Sequence, residues 1–223
     1  MIACQSALTG ERCAVKIIQC DVAEMATQAR REFDIMKHLE GHRSFVKAHH
    51  FYLEGSTAYL VMERVDLKPV SHHPKMHDGD SSARVVIRNL ATALDHLHSK
   101  NVIHRDLNPN NVLLDPETLD IKIIDFGISR MPELKLGSSD TSSPVCDLRL
   151  ELTTSRVGTS IYRPPEFSAP LGQYYTQAVD LWGLGCVVLH LLSGEAPLRK
   201  NSKNCCGEVA VPVEVCPEAQ DLI

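Results

Sequence analysis

The pattern of apolar and polar positions predicts a strand followed by a helix at the beginning of the chain. Residues 13–18, Cys-Ala-Val-Lys-Ile-Ile, form a short β-prone run with one lysine inside it. Asp21 and Glu24 then resemble the start of a capping box. Behind them apolar residues recur at helical spacing, which predicts a helix that ends before Gly41: Ala26, Ala29, Phe33, Met36 and Leu39.

The following stretches predict two more strands and two more helices. Residues 45–53 and 57–65 are strand-like runs separated by the turn-forming triplet Glu-Gly-Ser. A linker rich in Pro, His, Asp and Gly comes next, and a helix is predicted from about residue 82 to residue 99. The apolar run 181–192 predicts a buried helix, because it is too short to span a bilayer.

The order of these elements predicts an α+β fold with two segregated lobes. Strands flank one helix in the first part, whereas helices dominate after the linker. We therefore expect a small β-rich N-terminal lobe at residues 1–65 and a larger, mainly helical C-terminal lobe at residues 66–223.

Charge and cysteine content exclude several classes of partner. The formal net charge is −5, with 23 Lys and Arg against 28 Asp and Glu, so neither nucleic acid nor an anionic membrane is expected as a partner. The 8 cysteines form no C-x-x-C pair, which argues against a zinc site or a disulfide framework. No secretion signal is recognisable at the N-terminus, and we expect a cytoplasmic or nuclear location with reduced thiols.

Two polar segments carry the strongest chemical signal. Residues 104–111 read His-Arg-Asp-Leu-Asn-Pro-Asn-Asn, and residues 125–127 read Asp-Phe-Gly. They resemble the catalytic loop and the metal-binding loop of eukaryotic protein kinases. Taken singly, Asp106 could be a loop cap and Asp125 a turn residue. Both at this spacing, with Asn111 between them, favour the catalytic interpretation.

The resemblance implies specific roles for these residues. Phosphoryl transfer needs a carboxylate near the attacking hydroxyl and oxygen ligands that hold Mg²⁺ against the phosphates. Asp106 would be the catalytic residue that accepts the hydroxyl proton, and Asn111 and Asp125 would bind the metal. ATP and Mg²⁺ are therefore the expected cofactors.

Further positions of the family's nucleotide site occur in the expected order. The resemblance implies that Lys16, in Ala-Val-Lys, holds the α- and β-phosphates and that Glu32 pairs with it. Met62 would lie behind the adenine, and the backbone of Glu63 and Val65 would bond its edge. The remaining implied ATP contacts are Ala14 and Leu113. Considered alone, Lys16 and Glu32 would be interpreted as an ordinary strand lysine and a solvent-exposed helix carboxylate.

Three departures from the family pattern stand out. Gly10 lies six residues before Lys16, and this register predicts that the first strand and the glycine-rich loop lie upstream of Met1. Serine/threonine kinases carry a lysine where this chain has Asn108, so the loop lacks a cation for the transferring phosphate. Such a loss costs on the order of 3 kcal/mol. Residues 217–223 resemble the start of a late helix, so the C-terminal lobe is also expected to be incomplete.

The resemblance leaves two main functions open, with a structural scaffold that has no nucleotide site as a third. The first is a protein serine/threonine kinase that transfers the γ-phosphate of ATP to a hydroxyl of a protein substrate, which Pro109 favours over a tyrosine kinase. The sequences around residues 162–166 and 180–186 lean towards the mitogen-activated and cyclin-dependent branch. The alternative is a catalytically weak, kinase-like binding module or inactive fragment, which Asn108 favours.

A regulatory phosphate is the last expectation. In the family, an arginine before the catalytic aspartate, here Arg105, marks kinases whose activation segment is ordered by phosphorylation. A phosphate carries nearly two negative charges and pairs with guanidinium groups. The expected acceptor is Ser155, with Thr154 second. The alternative is that Arg105 only hydrogen-bonds to backbone carbonyls.

Overall fold

Four antiparallel strands and one helix form the first part of the fold. The structure is a computed structural model, and it describes residues 1–5, 7, 10–76, 81–131, 150–151, 162, 164 and 174–195. The strands form one sheet in the order β1-β2-β4-β3, and helix α1 (Ala23–His38) packs against β3 and β4. The strands are β1 (Ile2–Gln5), β2 (Arg12–Gln19), β3 (Ala48–Glu54) and β4 (Thr57–Glu63).

Helices and short strands form the second part. Strands β5, β6 and β7 make a three-stranded antiparallel sheet, and β8 pairs with β9. Among the described residues, no helix is long and apolar enough to cross a membrane. The elements are β5 (Lys68–Pro69), a 3₁₀ turn (Val70–His72), α2 (Ser81–Ser99), β6 (Val112–Leu114), β7 (Ile121–Ile123), β8 (Leu150–Glu151), β9 (Tyr174–Tyr175) and α3 (Ala178–Ser193).

One hydrophobic core joins the two parts. Strand β4 alternates buried and half-exposed residues, as a sheet with one covered face requires. Its inward side chains meet the buried stripe of α1, and the same cluster continues through the apolar stripe of α2 into α3. Representative members are Ile35, Met36, Leu60, Leu90, Leu94, Phe126 and Leu191.

The observed fold is α+β with two lobes, as the sequence predicts. Within the described residues, the predicted strands and helices occur with ends shifted by a few residues, except that the linker contains β5 and the 3₁₀ turn. The late helix expected at residues 217–223 lies outside the described residues. The sequence pattern does not predict strand β1, because four residues carry little periodicity and their pairing with β2 is a tertiary contact. A lobe boundary after Val65 stays a prediction.

The predicted cap of α1 is wrong. The helix begins at Ala23 with Val22 at the N-cap position, and no side chain caps it. Asp21 precedes that position, so its carboxylate is not placed to accept the first free N–H groups of the helix. The packing of its buried stripe against β3 and β4 therefore determines this helix more than its cap does.

Helix α3 approaches the loop after α2 through a single glycine. A Cβ atom added at Gly183 would lie 2.5 Å from the main-chain oxygen of Leu107 and 2.8 Å from its Cβ. Main-chain atoms cannot move aside as a flexible side chain can. A Cβ atom added at Gly185, two residues further along the same helix, would have no described neighbour within 4 Å. Only the first glycine is therefore required by packing.

We expect Gly183→Ala to destabilise the protein by roughly 2 kcal/mol, because overpacking outweighs the gain in helix propensity. The matched control, Gly185→Ala, is expected to stabilise it by about 0.5–1 kcal/mol through the same propensity gain. Urea unfolding followed by circular dichroism measures both. Equal stability of the two variants would show that α3 does not pack tightly against the loop at Leu107.

Candidate active site

A hairpin brings the two polar segments of the sequence together. Strands β6 and β7 pair with Val112 opposite Ile123, and the main-chain N–H of Ile124 donates to the carbonyl of Asn111 at 3.0 Å. The residue before β6 and the residues after β7 therefore lie at the same end of the hairpin. This arrangement places Asn111 and Asp125 on one wall of a shared cavity.

The loop before β6 is held by a buried carboxylate from α3. Asp180 is 0 % exposed and accepts hydrogen bonds from the main-chain N–H groups of His104 (2.9 Å) and Arg105 (2.8 Å) and from Nε2 of His98 (2.9 Å). Arg105 has φ 71°, a left-handed conformation that is unfavourable for a side chain of this size. The hydrogen bonds to Asp180 hold the backbone in this strained form.

His104 connects the two loops in a defined tautomer. Its Nε2 faces the carbonyl of Ile124 at 3.1 Å and must donate, whereas its Nδ1 accepts from the main-chain N–H of Asp106 at 3.3 Å. Its ring packs edge-on against buried Phe126 with 5.1 Å between centroids. The loop that carries Asp106 and the loop that carries Asp125 are thus locked to each other.

Lys16 joins the sheet, the helix and the Asp-Phe-Gly turn. Its Nζ lies 2.8 Å and 3.0 Å from the two carboxylate oxygens of Glu32, and 3.0 Å from Oδ1 of Asp125. Glu32 is only 3 % exposed, on the inward stripe of α1. The pair expected from the sequence is therefore present as a buried ion pair, with Asp125 as an additional partner of the lysine.

The electrostatics of Lys16 and Asp125 favour their charged states. Burial opposes the charge of Lys16, but the carboxylates of Glu32 and Asp125 outweigh it and raise the pKa of the lysine. Burial likewise opposes ionisation of Asp125, yet the ammonium of Lys16 leads the interactions that lower the pKa of this carboxyl. Both groups stay ionised at neutral pH, and each is able to bind a ligand of opposite charge.

Two asparagines hold the carboxylate of Asp106. Nδ2 of Asn111 donates to Oδ2 at 3.0 Å, and Nδ2 of Asn108 donates to Oδ1 at 3.1 Å. Both amides also donate to the main-chain carbonyl of Asp106, at 2.8 Å and 2.9 Å. The carboxylate is thus fixed from two sides.

A cavity of about 530 Å³ lies between the two parts of the fold. It is lined by every residue that the sequence predicts for ATP and metal: Ala14, Lys16, Glu32, Met62, Glu63, Val65, Leu113, Asn111 and Asp125. Asp106 is not among the lining residues, but its carboxylate is bonded to Asn111, which is. Met1, Ile2 and Ala3 also line the cavity, and the sequence pattern does not predict them because it does not predict strand β1.

The segment after β4 offers main-chain groups at the cavity. The N–H of Glu63 donates to the carbonyl of Lys47 at 2.9 Å, and its carboxylate forms an ion pair with Lys122. The N–H of Val65 makes no hydrogen bond to the described part of the chain. Of the two residues expected at the edge of an adenine, Val65 therefore has a donor available.

Asn111 and Asp125 form a donor set that fits Mg²⁺. An amide oxygen and a carboxylate are the hard oxygen ligands that this ion prefers, and both side chains lie on the cavity wall. The amide nitrogen of Asn111 is used by Asp106, so its oxygen is the atom left for a metal. When bound, the ion would neutralise phosphate charge.

The regulatory residues are only partly covered by the structure. Nη1 of Arg105 donates to the carbonyl of Ile128 at 3.1 Å, which is the backbone contact expected if this arginine has no phosphate partner. Ser155 and Thr154 lie outside the described residues. Their modification stays a prediction.

The fold and the cavity together have the arrangement of a two-lobed protein kinase domain. The family model described as "Protein kinase domain" matches residues 1–217, and the chain therefore belongs to this family. A solved structure, that of the Cydia pomonella granulovirus kinase PK-1, superposes with a TM-score of 0.69 over 90 % of this chain and 66 % of that chain. Its sequence identity of 23 % supports the fold alone.

Curated relatives are protein kinases by name. MAP kinase-interacting serine/threonine-protein kinase 2 from Xenopus laevis is 29 % identical over 99 % of this chain and 47 % of its own length. Putative CBL-interacting protein kinase 27 from Oryza sativa subsp. japonica is 31 % identical over 96 % of this chain and 52 % of its own length. This chain thus spans about half the length of these relatives.

We expect Lys16→Met to destabilise the protein by roughly 2–4 kcal/mol at pH 7, because it leaves a buried carboxylate unpaired. Adding Glu32→Gln should recover more than half of that loss. The exposed pair of Lys37, in the last turn of α1, and Glu40, just after the helix, supplies the control, and Lys37→Met is expected to cost about 0.5 kcal/mol. Denaturant unfolding of the four proteins gives the comparison.

The effect of Lys16→Met should depend on pH. Burial raises the pKa of Glu32 and the Lys16 ammonium lowers it, so removal of the lysine raises this pKa further. A carboxyl whose pKa is raised by folding favours the folded state when protonated. The destabilisation should therefore shrink as the pH falls towards 4.5, the unperturbed value for this carboxyl, and grow as the pH rises. A pH-independent loss would mean that the lysine acts through packing only.

Proposed function

We propose that this chain is an ATP- and Mg²⁺-dependent protein kinase that phosphorylates serine or threonine hydroxyls of protein substrates. The observation that carries the proposal is the cavity itself, whose wall unites the lysine, the buried glutamate and the two oxygen donors. Residues from the β-sheet, α1 and the β6–β7 hairpin contribute to that wall. The name of one curated relative, MAP kinase-interacting serine/threonine-protein kinase 2 from Xenopus laevis, supports the serine/threonine class.

The geometry assigns one task to each group. Apolar side chains such as Ala14, Met62 and Leu113 would enclose the adenine, and the free N–H of Val65 would donate to its edge. The ammonium of Lys16, oriented by Glu32, would neutralise charge on the phosphates. Because Lys16 also contacts Asp125, a bound phosphate would replace the Asp125 carboxylate as a partner of the lysine.

Asp106 would receive the proton of the attacking hydroxyl. Its carboxylate is held beside the cavity by the bond to Asn111, so the base and the metal ligand keep a fixed relation. Positioning and electrostatic stabilisation supply most of the rate in phosphoryl transfer, and proton acceptance by a placed carboxylate adds to them.

A kinase-like binding module is the second candidate. The observation that favours it is Asn108, which supplies no positive charge where serine/threonine kinases carry a lysine. Such a protein would bind nucleotide in the same cavity and transfer phosphate slowly or not at all. Nucleotide binding alone therefore does not separate the two candidates, whereas transfer does.

We expect the purified chain to transfer phosphate from radiolabelled ATP to serine- and threonine-containing peptides in the presence of Mg²⁺. Asp106→Asn should lower this rate by about 10²- to 10⁴-fold, the range for loss of a placed acid or base. The control is Asp95→Asn, at an exposed aspartate on α2, which should retain the full rate.

Each possible result tests a different part of the proposal. Transfer that survives Asp106→Asn would contradict the assigned role of this residue. A fluorescent ATP analogue that binds, loses affinity in Lys16→Met and is never turned over would favour the binding module. Absence of any ATP binding would refute both candidates.

A further inference from the structure

Asn108 is the residue at which this chain departs from the family's catalytic loop. Besides lacking a positive charge, it is buried and hydrogen-bonded within the loop. Its side chain is 0 % exposed, whereas Asn110, two residues later, is exposed. The Asn108 amide makes three hydrogen bonds: two as a donor to Asp106 and one as an acceptor from the main-chain N–H of Asn110 at 2.9 Å. A buried amide satisfied in this way is part of the loop's architecture.

We propose that Asn108 is a positioning residue that holds the carboxylate of Asp106 in place for catalysis. The inference rests on the proposed function, in which Asp106 is the base. Asn108 occupies Oδ1 and Asn111 occupies Oδ2, so the carboxylate is clamped between two amide donors. Rotation of the carboxylate plane would break both bonds at once.

An amide performs this task in a way that a lysine cannot. An ammonium has three donors and no acceptor, so a lysine at this position could bond to Asp106 but not to the N–H of Asn110. The asparagine does both, and it connects the carboxylate to the backbone on either side of the loop. Under this proposal, the fixed position of the Asp106 carboxylate takes the place of a lysine charge near the transferring phosphate.

The two halves of the amide allow the donor role to be tested separately. Asn108→Asp keeps the shape and the acceptor for the N–H of Asn110, but it replaces the donor by a second carboxylate facing Asp106. Asn108→Ala removes both. If the acceptor bond to the N–H of Asn110 is the only contribution of this residue, Asn108→Asp should behave like the natural protein. If it positions Asp106, both variants should lose activity.

Steady-state kinetics with a peptide substrate supply the first readout. We expect Asn108→Asp and Asn108→Ala to lower kcat by about tenfold to a hundredfold, while KM for ATP changes by less than about threefold. The reason for the small change in KM is that residue 108 does not line the cavity. Asn110→Ala is the matched control and should stay within about twofold of the natural kcat. An unchanged kcat in Asn108→Asp, or a change in KM alone, would overturn the proposal.

Nuclear magnetic resonance gives a readout that needs no activity. In the ¹⁵N-labelled protein, the side-chain NH₂ of Asn108, assigned by its loss in Asn108→Asp, should exchange slowly with water and shift in Asp106→Ala. The NH₂ of Asn110 should exchange fast. Fast exchange at Asn108 with no response to Asp106→Ala would overturn the inference even if the protein transferred no phosphate. A clamped but inactive protein would instead refute the proposed function.

Discussion

One buried carboxylate supports the loop that carries Asp106. Asp180 lies inside the C-terminal lobe at the start of α3 and is surrounded by three donors from the end of α2 and the loop that follows it. A charge without water is costly unless hydrogen bonds satisfy it, and here those bonds also hold Arg105 in a strained backbone conformation. The same loop passes so close to α3 that only a glycine fits at residue 183.

The cavity depends on contacts between segments that are far apart in the chain. Lys16 reaches across 109 residues to Asp125, and Lys122 of β7 pairs with Glu63 at the end of β4. A continuous apolar core behind these ion pairs keeps them partly shielded from water, which strengthens each of them. Rigid packing of this kind is what lets a few polar side chains hold fixed positions at the wall of a cavity.

The motif alone and the tertiary structure lead to different interpretations of Asn108. Considered alone, it removes a cation and predicts a slower enzyme. Within the loop, its side chain has become a buried hydrogen-bonding element between Asp106 and Asn110. Electrostatic stabilisation and preorganisation are separate contributions to phosphoryl transfer, and under the proposed function the hydrogen bonds of Asn108 would serve the second.

The sequence by itself predicted most of the strands and helices. It also predicted the cavity residues that belong to short motifs, such as Lys16, Asn111 and Asp125. Hydrophobic periodicity and the spacing of Asp106, Asn111 and Asp125 are properties of short segments, and they survive without knowledge of the fold. The tertiary structure decided the rest: the strand at residues 2–5 and its place on the cavity wall, the uncapped start of α1, and the burial of Asn108. These features arise from pairing and packing between distant segments, and which way a side chain turns in a loop is set by the partners that surround it there.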